Sequence, residues 1–162
     1  MQRAMSIFMV CLLVLATTPS FATSGAHFFK DTSASVDTAT GGLLINIDEA
    51  GVGQTTVDYT GSFTASATYQ CFNNGGKHPK AGNKETVGST VTANFTENPT
   101  NGRVQASITV SGTPVAQGSF TCPSGQNLFL VDVSYTGTLT DTTNTVSINL
   151  SASGTNLFIP VQ

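Results

Sequence analysis

The chain has 162 residues, of which 39% are hydrophobic and only 9% charged, with a formal net charge of -3. That length is the size of one domain, and so little charge excludes a coiled coil, which needs a large share of Ala, Glu, Lys, Leu and Arg. Six basic residues neutralise too few phosphates for a nucleic-acid partner, and the apolar share with low net charge argues against disorder.

The first 22 residues read as a secretory signal peptide: Arg3, then the apolar run Ile7 to Ala16, then small Ser20 and Ala22 at a small-x-small cleavage site. A transmembrane anchor needs about 20 apolar residues and a basic flank after them. Here the run is too short and the next basic residue is Lys30. Cys11 lies inside the apolar run, which excludes a lipoprotein cleavage site. The expected organisation is a signal peptide over 1–22 and one exported domain over 23–162, with no membrane span after cleavage.

Downstream, the pattern has period two almost throughout, which is the signal for strands with one buried and one solvated face. Leu43, Ile45 and Ile47 form the first clear strand. In the second, Val57, Tyr59, Phe63, Ala65, Ala67, Tyr69 and Cys71 alternate with Asp58, Thr60, Thr64, Ser66, Thr68 and Gln70. Val91, Ala93 and Phe95 follow, then Val104, Ala106, Ile108 and Val110, then Phe129, Val131, Val133 and Tyr135, and last Val146, Ile148 and Leu150. Turn chemistry separates them at Thr40–Gly42, Asn98–Gly102, Asp141–Asn144 and Ser153–Asn156. The Asn101-Gly102 pair is the strongest hairpin signal and predicts that 86–97 joins 103–111. About seven to nine short strands without helical periodicity predict an all-β fold, a single antiparallel β-sandwich that is immunoglobulin-like in the broad sense. The buried Trp of antibody domains is missing, since the chain has no Trp.

Once Cys11 leaves, Cys71 and Cys122 remain, and an even count in an exported chain argues for one disulfide over free thiols or a metal pair. Closing a loop of about 50 residues stabilises a fold by roughly 4 kcal/mol in the chain-entropy picture. His27 and His78 supply no recognisable zinc set, and no metal or cofactor is expected. Asp48 and Glu49, before Gly51 and Gly53, offer carboxylates to Ca²⁺, but adjacent strand residues point to opposite faces.

The least ordinary segment runs from Cys71 to Glu85. It holds Lys77, Lys80 and Lys84 with His78, three of the five Lys and Arg residues left after cleavage. A loop of this length on a rigid sandwich is a natural place for binding residues. If the disulfide forms, Cys122-Pro123-Ser124-Gly125-Gln126-Asn127 lies against its base. The candidate contact surface is therefore Lys77, His78, Lys80, Asn83 and Lys84, with Ser124 and Gln126 as neighbours. Ammonium, imidazole, amide and hydroxyl groups suit an acidic or hydroxyl-rich extracellular polymer; the plainer alternative is a solvated loop.

Gly75 to Thr86 (GGKHPKAGNKET) and Phe120 to Gln126 (FTCPSGQ), with Asp48–Gly53 and Val133-Ser134-Tyr135, resemble a group of small secreted bacterial proteins of unknown function. The resemblance implies secretion and a paired Cys71 and Cys122, and nothing about substrate.

Two further patterns stand out. Thr136, Thr138 and Thr140, with Thr90 and Thr92 elsewhere, form Thr-x-Thr ladders, either an ordinary exposed sheet face or a hydroxyl surface for ice or polysaccharide. Asn94-Phe95-Thr96 and Asn149-Leu150-Ser151 match the glycosylation acceptor, which matters only in a eukaryotic host.

The functional expectation is a non-catalytic extracellular binding or surface-interaction module. One alternative is a polymerising, fimbria-like subunit, in which residues 23–35 form a mobile extension anchored by His27-Phe28-Phe29. Those aromatics would equally serve as the first strand of a complete domain. The other is a hydrolase with His78 as base, Ser124 as nucleophile and Asp141 as orienting carboxylate, although no G-x-S-x-G or H-E-x-x-H motif is present.

Overall fold

A computed structural model describes residues 25–73, 83–111 and 116–161. The signal segment and Lys77, His78 and Lys80 lie outside the described residues.

The alternating sequences become eight strands: β1 (His27–Phe28), β2 (Ser33–Val36), β3 (Leu43–Ala50), β4 (Val57–Asn73), β5 (Lys84–Glu97), β6 (Arg103–Ser111), β7 (Gln126–Asp141) and β8 (Val146–Pro160). They form two antiparallel sheets packed face to face, the β-sandwich that the periodicity predicts. The longer sheet has the order β5-β4-β7-β8. In the shorter one, β6 pairs along one side of β3 while β1 and β2 share its other side. Within the 23–35 segment, the described residues from 27 onward thus belong to the chain's own edge strand, which runs on to Val36 and is interrupted at Phe29–Thr32. There the Thr32 hydroxyl replaces ladder groups, donating to the Asp48 carbonyl at 2.8 Å and accepting from the Asp48 N–H at 3.0 Å.

Between the sheets the odd-numbered side chains of β4 meet Leu43, Ile45 and Ile47 of β3 and Val133, Tyr135 and Leu139 of β7, all buried. Tyr59, Tyr69 and Tyr135 are no more than 2% exposed, as their registers predict. The Tyr135 hydroxyl donates to the Gly41 carbonyl at 2.8 Å, which satisfies its one polar group in the core.

Sheet lengths are unequal. Strand β4 has 17 residues and β7 has 16, whereas β3 has 8 and β6 has 9. The long sheet therefore overhangs the short one. Cys122 is bonded to Cys71 on the inner face of β4, with Cα atoms 5.6 Å apart, and Phe120 packs against the core beside it. The run before β7 thus lies over the overhang.

Three local expectations change. Asn101 (φ 52°) and Gly102 (φ 74°) do make the tight turn with two positive φ values, closed by paired bonds between Thr100 and Arg103. The flanking strands then diverge, since β5 pairs with β4 and β6 with β3, so the turn is a corner between sheets and not a hairpin. Ser153–Asn156 is no turn either, because β8 runs through it and bulges. Leu130 faces Ile159 while Asp132 faces Thr155, so three residues of β8 oppose Val131. Opposite β4, β7 carries an extra residue of its own, Val131, between the pairs Thr68–Asp132 and Tyr69–Leu130, and this reverses the expected register at the start of β7. Leu130 is buried, and Phe129 shares the outer face with Gln70 and Pro160.

Candidate binding surface at the disulfide end

Polar groups gather where β4 ends and β5 and β7 begin. Register alone brings Asn73 opposite Gln126 and Gln70 opposite Lys84. The Gln126 amide then bridges two neighbours. Its Nε2 donates to Asn73 Oδ1 at 2.8 Å, and its Oε1 accepts from Asn83 Nδ2 at 2.9 Å. Asn83 is pinned again by its backbone, whose carbonyl accepts from the Cys71 N–H at 3.0 Å. Gly125, at φ 80°, completes the tight return that lets the Gln126 N–H reach the Pro123 carbonyl at 3.1 Å. Ser124 is exposed on that return.

The Lys84 ammonium stands 4.0 Å from the Asp132 carboxylate, with both side chains at least 40% exposed. Solvent screens such a pair almost completely, so the charge of Lys84 remains available to a ligand. Four of the seven expected contact residues, Asn83, Lys84, Ser124 and Gln126, thus share one end of the sandwich. The other three lie outside the described residues.

A groove of about 450 Å³ opens beside the disulfide, between the 117–122 segment, the start of β7 and the end of β8. Gln117, Thr121 and Gln126 give it polar walls, and Leu128, Phe129 and Val161 give it apolar ones. Its size falls within the range of small-ligand sites.

Sequence reasoning missed an aromatic group at the same end of the sandwich, on the outer face of the long sheet. Phe72 stands in the solvent-facing phase of β4, edge-on to Phe129 of β7 with ring centroids 5.5 Å apart and to Phe158 of β8 at 5.4 Å. Phe158 is 52% exposed and has φ 54°. A bulky side chain is rare in that region of backbone space. The signal for Phe72 was in the sequence, because it sits where the alternation calls for a polar residue.

The other candidates are occupied or separated. Asp48 and Glu49 point to opposite faces. Asp48 is gripped by Arg103 through two bonds of 2.6 and 2.7 Å, which hold its carboxyl below the usual carboxylate range. The Arg103 guanidinium also lies 5.0 Å from the Phe29 ring centre. Glu49 is fully buried. Its Oε2 accepts from the Tyr59 hydroxyl at 2.7 Å, its Oε1 has no donor, and Asp141 lies against it. Burial first, and then the Asp141 charge, push the Glu49 carboxyl up to about 7. Ser124 and Asp141 flank opposite ends of β7, roughly 50 Å apart at 3.3 Å per residue, so the structure does not bring them together as one catalytic set.

Comparison with protein-family models, curated proteins and solved structures returns no match. No helix among the described residues is long and apolar enough to cross a membrane.

Proposed function

We propose that the protein is a non-catalytic extracellular binding module whose contact surface lies at the disulfide end. Export behind a cleaved 1–22 signal peptide belongs to this reading, and an oxidising compartment suits the Cys71–Cys122 bridge. The observation that carries it is the fixed amide chain Asn73–Gln126–Asn83, with Lys84 beside it and a groove alongside. Strand register and the disulfide hold these groups before any ligand arrives, so little ordering entropy opposes binding. Lys77, His78 and Lys80, which lie between Asn73 and Asn83 in the sequence, belong to the same proposal as binding residues for an acidic or hydroxyl-rich polymer.

A polymerising subunit is the second reading, favoured by one feature. Strand β5 is a 14-residue edge of the long sheet whose stretch 86–96 contains neither charge nor proline, a ready template for another strand.

The test is depletion from solution by insoluble peptidoglycan, chitin, cellulose and whole producer cells. The parent protein is compared with a variant carrying Asn83→Ala, Lys84→Ala and Gln126→Ala. Selective loss of the parent from the supernatant is expected. Equal recovery of both proteins from every polymer would overturn the assignment, and a concentration-dependent ladder on a native gel would favour assembly.

A further inference from the structure

The outer face of the long sheet carries its own chemistry. Cross-strand register sets its side chains in rows: Asn94–Thr60–Thr140–Ser147, then Thr92–Ser62–Thr138–Asn149, then Thr90–Thr64–Thr136–Ser151. Two further rows, Gly88–Ser66–Ser134–Ser153 and Thr86–Thr68–Asp132–Thr155, lead toward the phenylalanines. Neighbours within a row lie about 4.8 Å apart and successive rows about 6.7 Å apart. Among the described residues the face holds charge only at Asp58, Lys84 and Asp132. Asp58 accepts from the Thr96 hydroxyl at 2.7 Å, and the other two face each other.

Bonds within the rows fix the side chains without exhausting them. The Thr60 hydroxyl donates to Asn94 Oδ1 at 3.1 Å, and the Thr138 hydroxyl to Asn149 Oδ1 at 2.9 Å. Each bond engages the amide through its oxygen, so that the amide NH₂ points away from the donating hydroxyl, and leaves hydroxyl lone pairs open. The face therefore offers both donors and acceptors, with three charged side chains among its rows of neutral hydroxyls and amides, along a strand of about 55 Å. At its end stand the edge-to-face phenylalanines, with Phe158 pushed outward by the β8 bulge.

We propose that this face is the docking platform for an extended, neutral polysaccharide, which lays the C–H faces of its sugars on Phe158 and Phe72 and hydrogen-bonds along the hydroxyl and amide rows. The inference rests on the binding-module reading and names the ligand of that module. A neutral sugar chain carries both complementary surfaces, an apolar ring face and hydroxyls on its rim. An acidic polymer has no cationic row to meet here. Ice would use the hydroxyl grid alone and leave the exposed aromatic group without a role.

The experiment is electrophoresis of the full protein in native gels containing hydroxyethyl cellulose, glucomannan or soluble β-1,3-glucan, with alginate as the charged control. Phe158→Gly removes the ring, and glycine adopts φ 54° without strain, so folding is preserved. Thr136→Val removes one hydroxyl at nearly constant shape on an exposed strand position. At least one neutral polymer should retard the parent, Phe158→Gly should weaken that affinity about tenfold, and Thr136→Val should weaken it by a smaller factor. Retardation unchanged in both variants would overturn the proposal. So would ice-crystal shaping that Phe158→Gly leaves intact, with no retardation by any polysaccharide. Depletion by an insoluble polymer that depends on Lys84 and Gln126, without retardation by a neutral one, would also overturn it while leaving the binding module standing.

Discussion

Glu49 gives the sharpest test of how the two sheets are held together. It projects from β3 into the core, receives one hydrogen bond from Tyr59, and faces Asp141 of β7. Asp141 itself accepts from the Asn144 N–H at 2.8 Å and from Asn144 Nδ2 at 2.7 Å. An ionised Glu49 would set two buried carboxylates together, whereas a protonated one donates to Asp141 and removes the repulsion. Its carboxyl rises from 4.5 to about 7 on folding. Between those values the folded state binds more protons than the unfolded chain. This contribution to stability is therefore complete below about pH 4.5 and is lost as pH rises through 7. At 1.36 kcal/mol per pH unit the loss is about 3 kcal/mol, or roughly 10 °C in Tm for a domain of this size. Glu49→Gln keeps the shape of the protonated acid, with an amide that donates to Asp141 and an oxygen that accepts from Tyr59. The assay is urea unfolding of parent and variant from pH 4.5 to 8.5. The difference between them should be small in acid and should grow in favour of the variant as pH rises. Parallel profiles, or a difference that shrinks toward high pH, would refute the shared-proton arrangement.

Replacing both Cys71 and Cys122 with Ala should cost about 2–4 kcal/mol in urea unfolding; an unchanged midpoint would mean that the bridge does not constrain the unfolded chain. Gly137→Ala should destabilise by about 2–3 kcal/mol. A Cβ there would overlap the Ser62 carbonyl and come within 2.6 Å of Phe63 Cα, whereas at Gly88 the nearest atom is 3.5 Å away and Ala should be tolerated. Equal Tm values for these two variants would contradict the packing of β4 against β7. The Asp48 carboxyl should titrate below the ordinary carboxylate range by NMR and move upward in Arg103→Leu, because the guanidinium hydrogen bonds set its value; an unmoved titration would show that the pair does not persist in solution.

The core was legible where alternation is unbroken. In β4 every odd position from Val57 to Cys71 except the glycine at 61 carries an inward side chain that the sequence pattern picks out. It failed where a single extra residue intervenes. The bulge at Val131 turns Phe129 outward and Leu130 inward, and a period-two reading has no means of sensing an inserted residue. Asn101-Gly102 shows a different limit. Its dipeptide fixes the local turn, but which strands pair beyond it is decided by long-range packing. Ser153–Asn156 carries turn residues yet remains in β8, since pairing with β7 on both sides of the bulge outweighs local preference. For the candidate site, the cysteine pairing foretold that Asn83 and Gln126 would share one end of the sandwich. Phe72 breaks the alternation in the sequence, but its grouping with Phe129 and Phe158 depends on register between strands distant in sequence and needed the sheet in hand. The Glu49–Asp141 contact was hidden for the same reason.

The central claim, a binding module without catalysis, is tested most directly by an adsorption isotherm of the full protein on whichever insoluble polymer depletes it most, with the supernatant analysed for released fragments. The account predicts saturable, reversible uptake and no soluble product above the protein-free control. Uptake that never saturates, or fragments that accumulate with time in proportion to protein, would contradict it.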